Sequence, residues 1–226
     1  MQYTKIQIMR RILLTMLFLG TLFTAYAQSP MRFSAHLDPQ FAWFNSDDND
    51  VKPDGSIFHM QVGLQMDYFF APNYAFVLGV GINNLGGNLL YSDSTEFSSK
   101  GDILLVEPDQ SVKLNLQYLD FPLGLKLKTE ELGYATFFLQ LGFNPMVNIN
   151  AKGTNDQAGM DKDDIRESMH LFSLGYHAGL GVEYTLGGNT ALIGGLRWSA
   201  GLTDVSKNDR ANVKTNAVSI HLGILF

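Results

Sequence analysis

Cysteine is absent from all 226 residues. That excludes a disulfide framework, every thiolate metal site and anchoring through a lipidated cysteine. Charge is scarce as well: 17% of residues are Asp, Glu, Lys or Arg, against roughly 25% in an ordinary soluble chain. The 12% aromatic content excludes a disordered polypeptide, which is poor in aromatics and rich in charge. Positive charge is scarcest. Residues 1–27 hold Lys5, Arg10 and Arg11 and no acid, so the rest of the chain carries 13 basic against 22 acidic side chains, a net −9. Such a chain is poorly suited to neutralising phosphates, and no nucleic-acid partner is expected. Past residue 28 no stretch approaches 18 consecutive apolar residues, so no transmembrane helix is expected there.

What is present begins with an export signature. Lys5, Arg10 and Arg11 precede an apolar core, Ile12 to Phe23, and Ala25-Tyr26-Ala27 has the small-x-small pattern of a cleavage site. Residues 1–27 therefore read as a cleaved signal peptide and 28–226 as the mature domain. The competing reading is a membrane anchor, which wants about 20 apolar residues; this core is shorter.

The mature chain alternates with period two, the mark of strands with unlike faces. In 57–70, Phe58, Met60, Val62, Leu64, Met66, Tyr68 and Phe70 share one face. The same pattern runs through 74–82, 134–149, 169–186, 190–202 and 214–226. Segment 31–43 alternates weakly and contains Pro39. In 112–128 the apolar phase is Val112, Leu114, Leu116, Tyr118 and then shifts to Leu119, Phe121, Leu123, Leu125, Leu127. A one-residue slip flips the faces, so a β-bulge is expected near Tyr118-Leu119. Pro39, Pro122 and Pro145 need rims or bulges, because proline lacks the ladder donor.

Eight strands follow. Short connections (71–73, about 129–133, 187–189) alternate with long, polar, acidic ones (44–56, about 92–111, 150–167, 203–212). The expected fold is all-β: an eight-stranded antiparallel up-and-down transmembrane β-barrel, with termini and short turns in the periplasm and long loops outside. Three features favour lipid over a soluble sandwich. The 57–70 run exceeds the 9–11 residues or so that a spanning strand needs. Aromatics collect at strand ends, with Tyr68, Phe69, Phe70, Tyr74, Tyr134, Phe137 and Tyr184 toward the short turns and Trp43, Phe44, Phe58, Tyr91 and Trp198 toward the long loops. Such girdles are what membrane interfaces select. The less apolar face carries Asp67, Asp120, Lys126, Glu183 and Arg197, which a barrel lumen pairs or hydrates. These five are the expected luminal polar residues.

The segment Tyr118-Leu119-Asp120-Phe121-Pro122-Leu123-Gly124-Leu125-Lys126, with Gly142-Phe143-Asn144-Pro145 after the next turn, resembles the PorT-like outer-membrane β-barrel family. Gly179 to Tyr184, Gly195-Leu196-Arg197 and Gly201 to Val205 are similar to it too, and Phe226 resembles the end signal of outer-membrane barrels. The resemblance spans about 31–226 and implies an eight-stranded barrel of OmpA/OmpX shape, mostly without an assigned activity. The family's namesake acts in type IX secretion, a role that no matching residue carries here.

Chemistry is sparse. His36, His59, His170, His177 and His221 form no closely spaced pair, and a zinc site needs three or four converging ligands; no metal is expected. Ser173 with His177, and Ser219 with His221, lack the third group that a nucleophilic triad needs, so no catalytic residue and no cofactor are expected. The runs Asp47-Asp48-Asn49-Asp50 and Asp161-Lys162-Asp163-Asp164 miss the spacing of a calcium loop and read as solvated loops. The expectation is a non-enzymatic barrel in the outer membrane of a Gram-negative envelope. Its exterior meets lipid, and its loops meet envelope or secretion-system proteins. A narrow porin-like channel or transporter is the alternative, and a membrane-embedded enzyme the third.

Overall fold

The computed structural model describes residues 31–99, 102–207 and 211–226. The segment read as a signal peptide, 1–27, lies outside the described residues. In chain order the strands are β1 (Met31–Ser46), β2 (Val51–Pro53), β3 (Ile57–Ala71), β4 (Tyr74–Tyr91), β5 (Thr95–Ser99), β6 (Asp102–Val106) and β7 (Gln110–Asp120). There follow β8 (Leu123–Lys128), β9 (Ala135–Asn155), β10 (Met160–Asp164), β11 (Phe172–Gly187), β12 (Thr190–Gly201) and β13 (Val213–Leu225).

Eight staves form one antiparallel ring: β1, β3, β4, the pair β7–β8 in line, β9, β11, β12 and β13. The ring closes because β1 pairs with β3 on one edge and with β13 on the other. Closure removes both free sheet edges. Polarity is inverted relative to a soluble barrel. Phe58, Leu64, Phe76, Leu180, Leu196 and Ile220 project outward and are exposed, whereas Asp38, Asp67, Asp120 and Lys126 are fully buried inside.

Each of the three troublesome prolines sits where a ladder is interrupted. The β1–β13 register stops at Leu37↔Leu222 and resumes at Gln40↔Ser219, leaving Asp38 and Pro39 out. Pro122 separates β7 from β8 and gives its carbonyl to the Gly79 amide. Pro145, on β9, faces that same break and accepts from the Phe121 amide.

The expected bulge at Tyr118-Leu119 is not in β7. Val112, Leu114, Leu116, Tyr118 and Asp120 all point inward without a slip. The extra residue is in the partner strand: Gln117 pairs with Asn150 and Tyr118 with Asn148, so Ile149 is the bulge. What changes in β7 is the chemistry of the interior, from apolar to polar. The reason is a second correction. The long-loop half of the barrel is filled by an apolar core that includes Ala42, Phe44, Leu85, Leu89, Val112, Leu114, Leu116, Tyr118 and Met146. Phe44 and Tyr91, expected in a girdle, belong to this plug and are buried.

The long connections are more structured than expected. β4 and β9 continue past the expected strand ends to Tyr91 and Asn155. β2 pairs with β4, β10 with β9, and β5 with β6 as a separate hairpin. Within 160–169, Arg166–Ser168 forms one 3-10 turn. Val51, Phe97, Val106, Met160, Ile165, Met169 and Val205 bring these segments into the apolar core. Burial and the Asp204 carboxylate push the Tyr91 hydroxyl up, so it stays un-ionised at neutral pH. Asp164 pairs with Arg166 at 2.7 Å and raises the guanidinium further.

Candidate functional site in the barrel lumen

Below the plug, toward the short turns, the lumen is polar. Period-two strands aim every second side chain inward, and here those positions carry amides, carboxylates, imidazoles and cations, of which Lys126 and Arg197 are buried. Glycine makes the space for them: a Cβ on Gly63 would lie 2.7 Å from His36 Nε2, and one on Gly142 2.7 Å from His177 Cε1.

The lower centre is an ion cluster. Lys126 Nζ donates to Asp67 Oδ2 at 2.7 Å and lies 2.8 Å from Glu183 Oε1. Lys128 also pairs with Glu183, and Arg32 approaches the same carboxylate at 3.8 Å. The Lys126 ammonium sits 4.7 Å from the Phe138 ring centroid, a cation–π contact. Phe138, Ala191, Ile193 and Leu225 form a small apolar patch beside it. Two buried carboxylates around one buried ammonium offset a desolvation cost of several kcal/mol per ion only because the geometry is close.

A chain of hydrogen bonds leads upward. Gln65 donates to Asp67 at 2.8 Å, and Gln140 donates to Gln65 at 3.3 Å. Asn144 Nδ2 donates to both Asp120 oxygens at 2.9 and 3.0 Å, and Gln61 donates to Asp120 at 2.9 Å. Asn144 Oδ1 is therefore an acceptor, and His177 Nδ1 donates to it at 2.5 Å. That leaves His177 Nε2 to accept from Gln140 at 3.2 Å.

The upper centre lies against β1 and β13. Asp38, fully buried, faces His221 Nδ1 at 2.9 Å, His36 Nδ1 at 3.3 Å and Arg197 Nη1 at 3.2 Å. The His36 and His221 rings are 5.1 Å apart.

The five expected luminal residues are placed accordingly. Asp67, Lys126 and Glu183 meet in the lower centre, Arg197 lies in the upper one, and Asp120 sits on the chain between. Asp120 and Lys126 point inward although β7 itself has no bulge. Sequence reasoning missed Asp38, and missed that His36 and His221 converge, since pairing across the closure is invisible to local spacing. The two serine–histidine pairs make no hydrogen bond: Ser173 meets Thr203 at 3.2 Å, and Ser219 donates to the Arg197 carbonyl at 3.4 Å.

Residues 19–207 match the family described as the outer membrane protein beta-barrel domain. The chain belongs to that family. It is an outer-membrane β-barrel, and its exposed apolar belt faces lipid. No curated protein sequence matches the chain. Among solved structures, Neisserial surface protein A is 14% identical, with 85% of this chain and 95% of that chain covered at a TM-score of 0.45. OprG from Pseudomonas aeruginosa is 15% identical, covering 86% and 95% at a TM-score of 0.45. Ail, the attachment invasion locus protein of Yersinia pestis, is 14% identical, covering 87% and 97% at a TM-score of 0.42.

Proposed function

We propose that this outer-membrane barrel is non-enzymatic and has a structural or interaction role. Its loop end is turned outward toward envelope or secretion-system proteins, and its termini and short turns lie in the periplasm. In this reading residues 1–27 are the cleaved export signal, and the PorT-like resemblance names the kind of barrel. One observation carries the proposal: the lumen is filled along its length. Ion pairs and amides occupy the lower half, a packed apolar core occupies the upper half, and a space of only about 10 Å³ lies between Asn83, Leu85, Asn144 and Met146. An eight-stranded ring is just wide enough for side chains, and among the described residues these side chains fill it, which supports a barrel that does not conduct. The structured loop end offers the surface for a partner, including a cavity of about 610 Å³ between Tyr91, Glu96, Phe97, Glu167 and Lys207.

The test is conductance. Purified full-length protein inserted into planar bilayers should give no resolved unitary steps, and a Leu116→Gly, Tyr118→Gly variant that thins the plug should not turn it into a wide pore while the polar half stays filled. Reproducible, ion-selective openings of the unmodified barrel would replace this reading with the narrow-channel one.

A further inference from the structure

The gap in the ladder between β1 and β13 is also where three metal-ligating side chains meet. Asp38 and Pro39 make no register pair with β13, and the side chains of His36, Asp38 and His221 gather at that place. We propose that His36, Asp38 and His221 form a site for a divalent transition-metal ion of the Zn²⁺ class, which bridges the first and last staves where the backbone ladder does not.

The geometry is close to that of a coordination shell. Their ligand atoms lie within 4.8 Å of one another. His36 Nδ1 and His221 Nδ1 approach the same oxygen, Asp38 Oδ1, at 3.3 and 2.9 Å. With bonds of about 2.0–2.1 Å, neighbouring ligands of a tetrahedral ion sit about 3.3 Å apart. Small shifts thus open room for an ion among the three.

Two further observations point to a cation. The His36 side chain is 2% exposed, and the only approach to its Nδ1, from Asp38 Oδ1 at 3.3 Å, falls short of hydrogen-bond geometry. A buried polar atom left unpaired calls for an explanation such as an ion. Fixed positive charge in direct contact with the carboxylates here is also sparse. Asp38 and Asp120 are both fully buried, and Asp120 is met by the amides of Gln61 and Asn144 rather than by a cation. Arg197 alone faces Asp38 as a permanent cation, at Oδ2. That contact engages Oδ2 and holds the carboxylate in orientation, with Oδ1 turned to the two imidazoles, the role that outer partners of metal ligands commonly play. Two imidazoles and one carboxylate suit zinc and its neighbours in the transition series better than calcium or magnesium, and three protein ligands leave a fourth position for water.

The experiment uses the full chain folded in detergent micelles with ZnCl₂ and dialysed against metal-free buffer. Elemental mass spectrometry should find about one zinc per barrel. His36→Gln and His221→Gln should each lose it, and His170→Gln, at an exposed histidine elsewhere, should keep it. Folding of every variant is checked by heat-modifiable gel migration. Arg197→Lys should weaken the affinity by about 10–100-fold. Cobalt loaded into the unmodified barrel should show the intense visible bands of a tetrahedral ion, a readout that needs no variant to fold. Zinc retention no greater in the unmodified protein than in the His36→Gln, His221→Gln double variant would overturn the proposal. So would a cobalt spectrum identical to that of the free aqueous ion.

Discussion

Removing the ammonium of Lys126 leaves Asp67 with only the Gln65 amide beside it and takes from Glu183 its most buried partner. Breaking a buried pair by deleting one member is costly because the other charge stays buried. Lys126→Met should therefore lower unfolding stability by about 3–5 kcal/mol. Lys128→Met should cost less, because that ammonium is more exposed and Glu183 keeps Lys126. Urea unfolding in lipid vesicles, followed through Trp43 and Trp198, measures both; an equal or smaller loss for Lys126→Met would contradict the assignment. Neighbouring positions on β13 give a second comparison. Leu222 is 45% exposed on the lipid-facing side and lies near the short-turn end. Arginine there should cost roughly 2 kcal/mol, the low end of the range for lipid-facing sites. From sequence, arginine at position 221 looks better tolerated, since the lumen supplies water or carboxylate, unless that space is already packed. The structure argues otherwise: His221 is packed against Asp38, which Arg197 already holds, so a second guanidinium brings a like charge into a filled space. His221→Arg should be at least as damaging as Leu222→Arg in the same unfolding assay, and clear tolerance would mean that the upper centre is looser than described.

At the scale of the strand, the Ile149 bulge decides which side of β9 faces inward. Before it Asn144, Met146 and Asn148 are buried; after it Ala151, Gly153 and Asn155 are. Deleting Ile149 removes the extra residue, so the β7–β9 register becomes uniform while both sets still face inward. The expected result is a barrel that keeps both its heat-modifiable migration and the protease resistance of its loop end. Loss of either would show that the bulge itself is needed to close the barrel. The same strand shows what the sequence could and could not disclose. Alternation in 57–70, 74–82 and 214–226 was plain because their outward residues are almost all apolar while the inward ones are small or polar. In β7 the inward residues change from Leu116 and Tyr118 to Asp120, so hydropathy shifts phase where the backbone does not. The bulge that does exist is in β9, where inward Met146 and Ala151 resemble their outward neighbours too closely to mark it. The lower ion cluster was legible because Asp67, Lys126 and Glu183 interrupt clear apolar rhythms. Asp38 was not, because β1 alternates weakly and Pro39 obscures it.

As a whole molecule, the barrel is two interiors within one wall. The lipid-facing belt is apolar throughout, so the membrane does not distinguish them. The half toward the short turns is fastened by charge and amides, and the half toward the loops by apolar packing that draws in β2, the β5–β6 hairpin and β10. The pairing of β1 with β13 also sets the order of events during biogenesis. The amide and carbonyl of Phe33 are satisfied by Phe226, at 3.2 and 2.8 Å, from the opposite end of the described chain. Contacts of such long sequence separation form late, because loop-closure entropy must be met first. A ribosome therefore cannot deliver a partly finished version of this fold. Until β13 is in hand, β1 remains an open template for any other strand, and the transit from inner to outer membrane has to be made by a polypeptide kept from folding. The wall that looks most static in the finished molecule is the step for which every earlier stave waits.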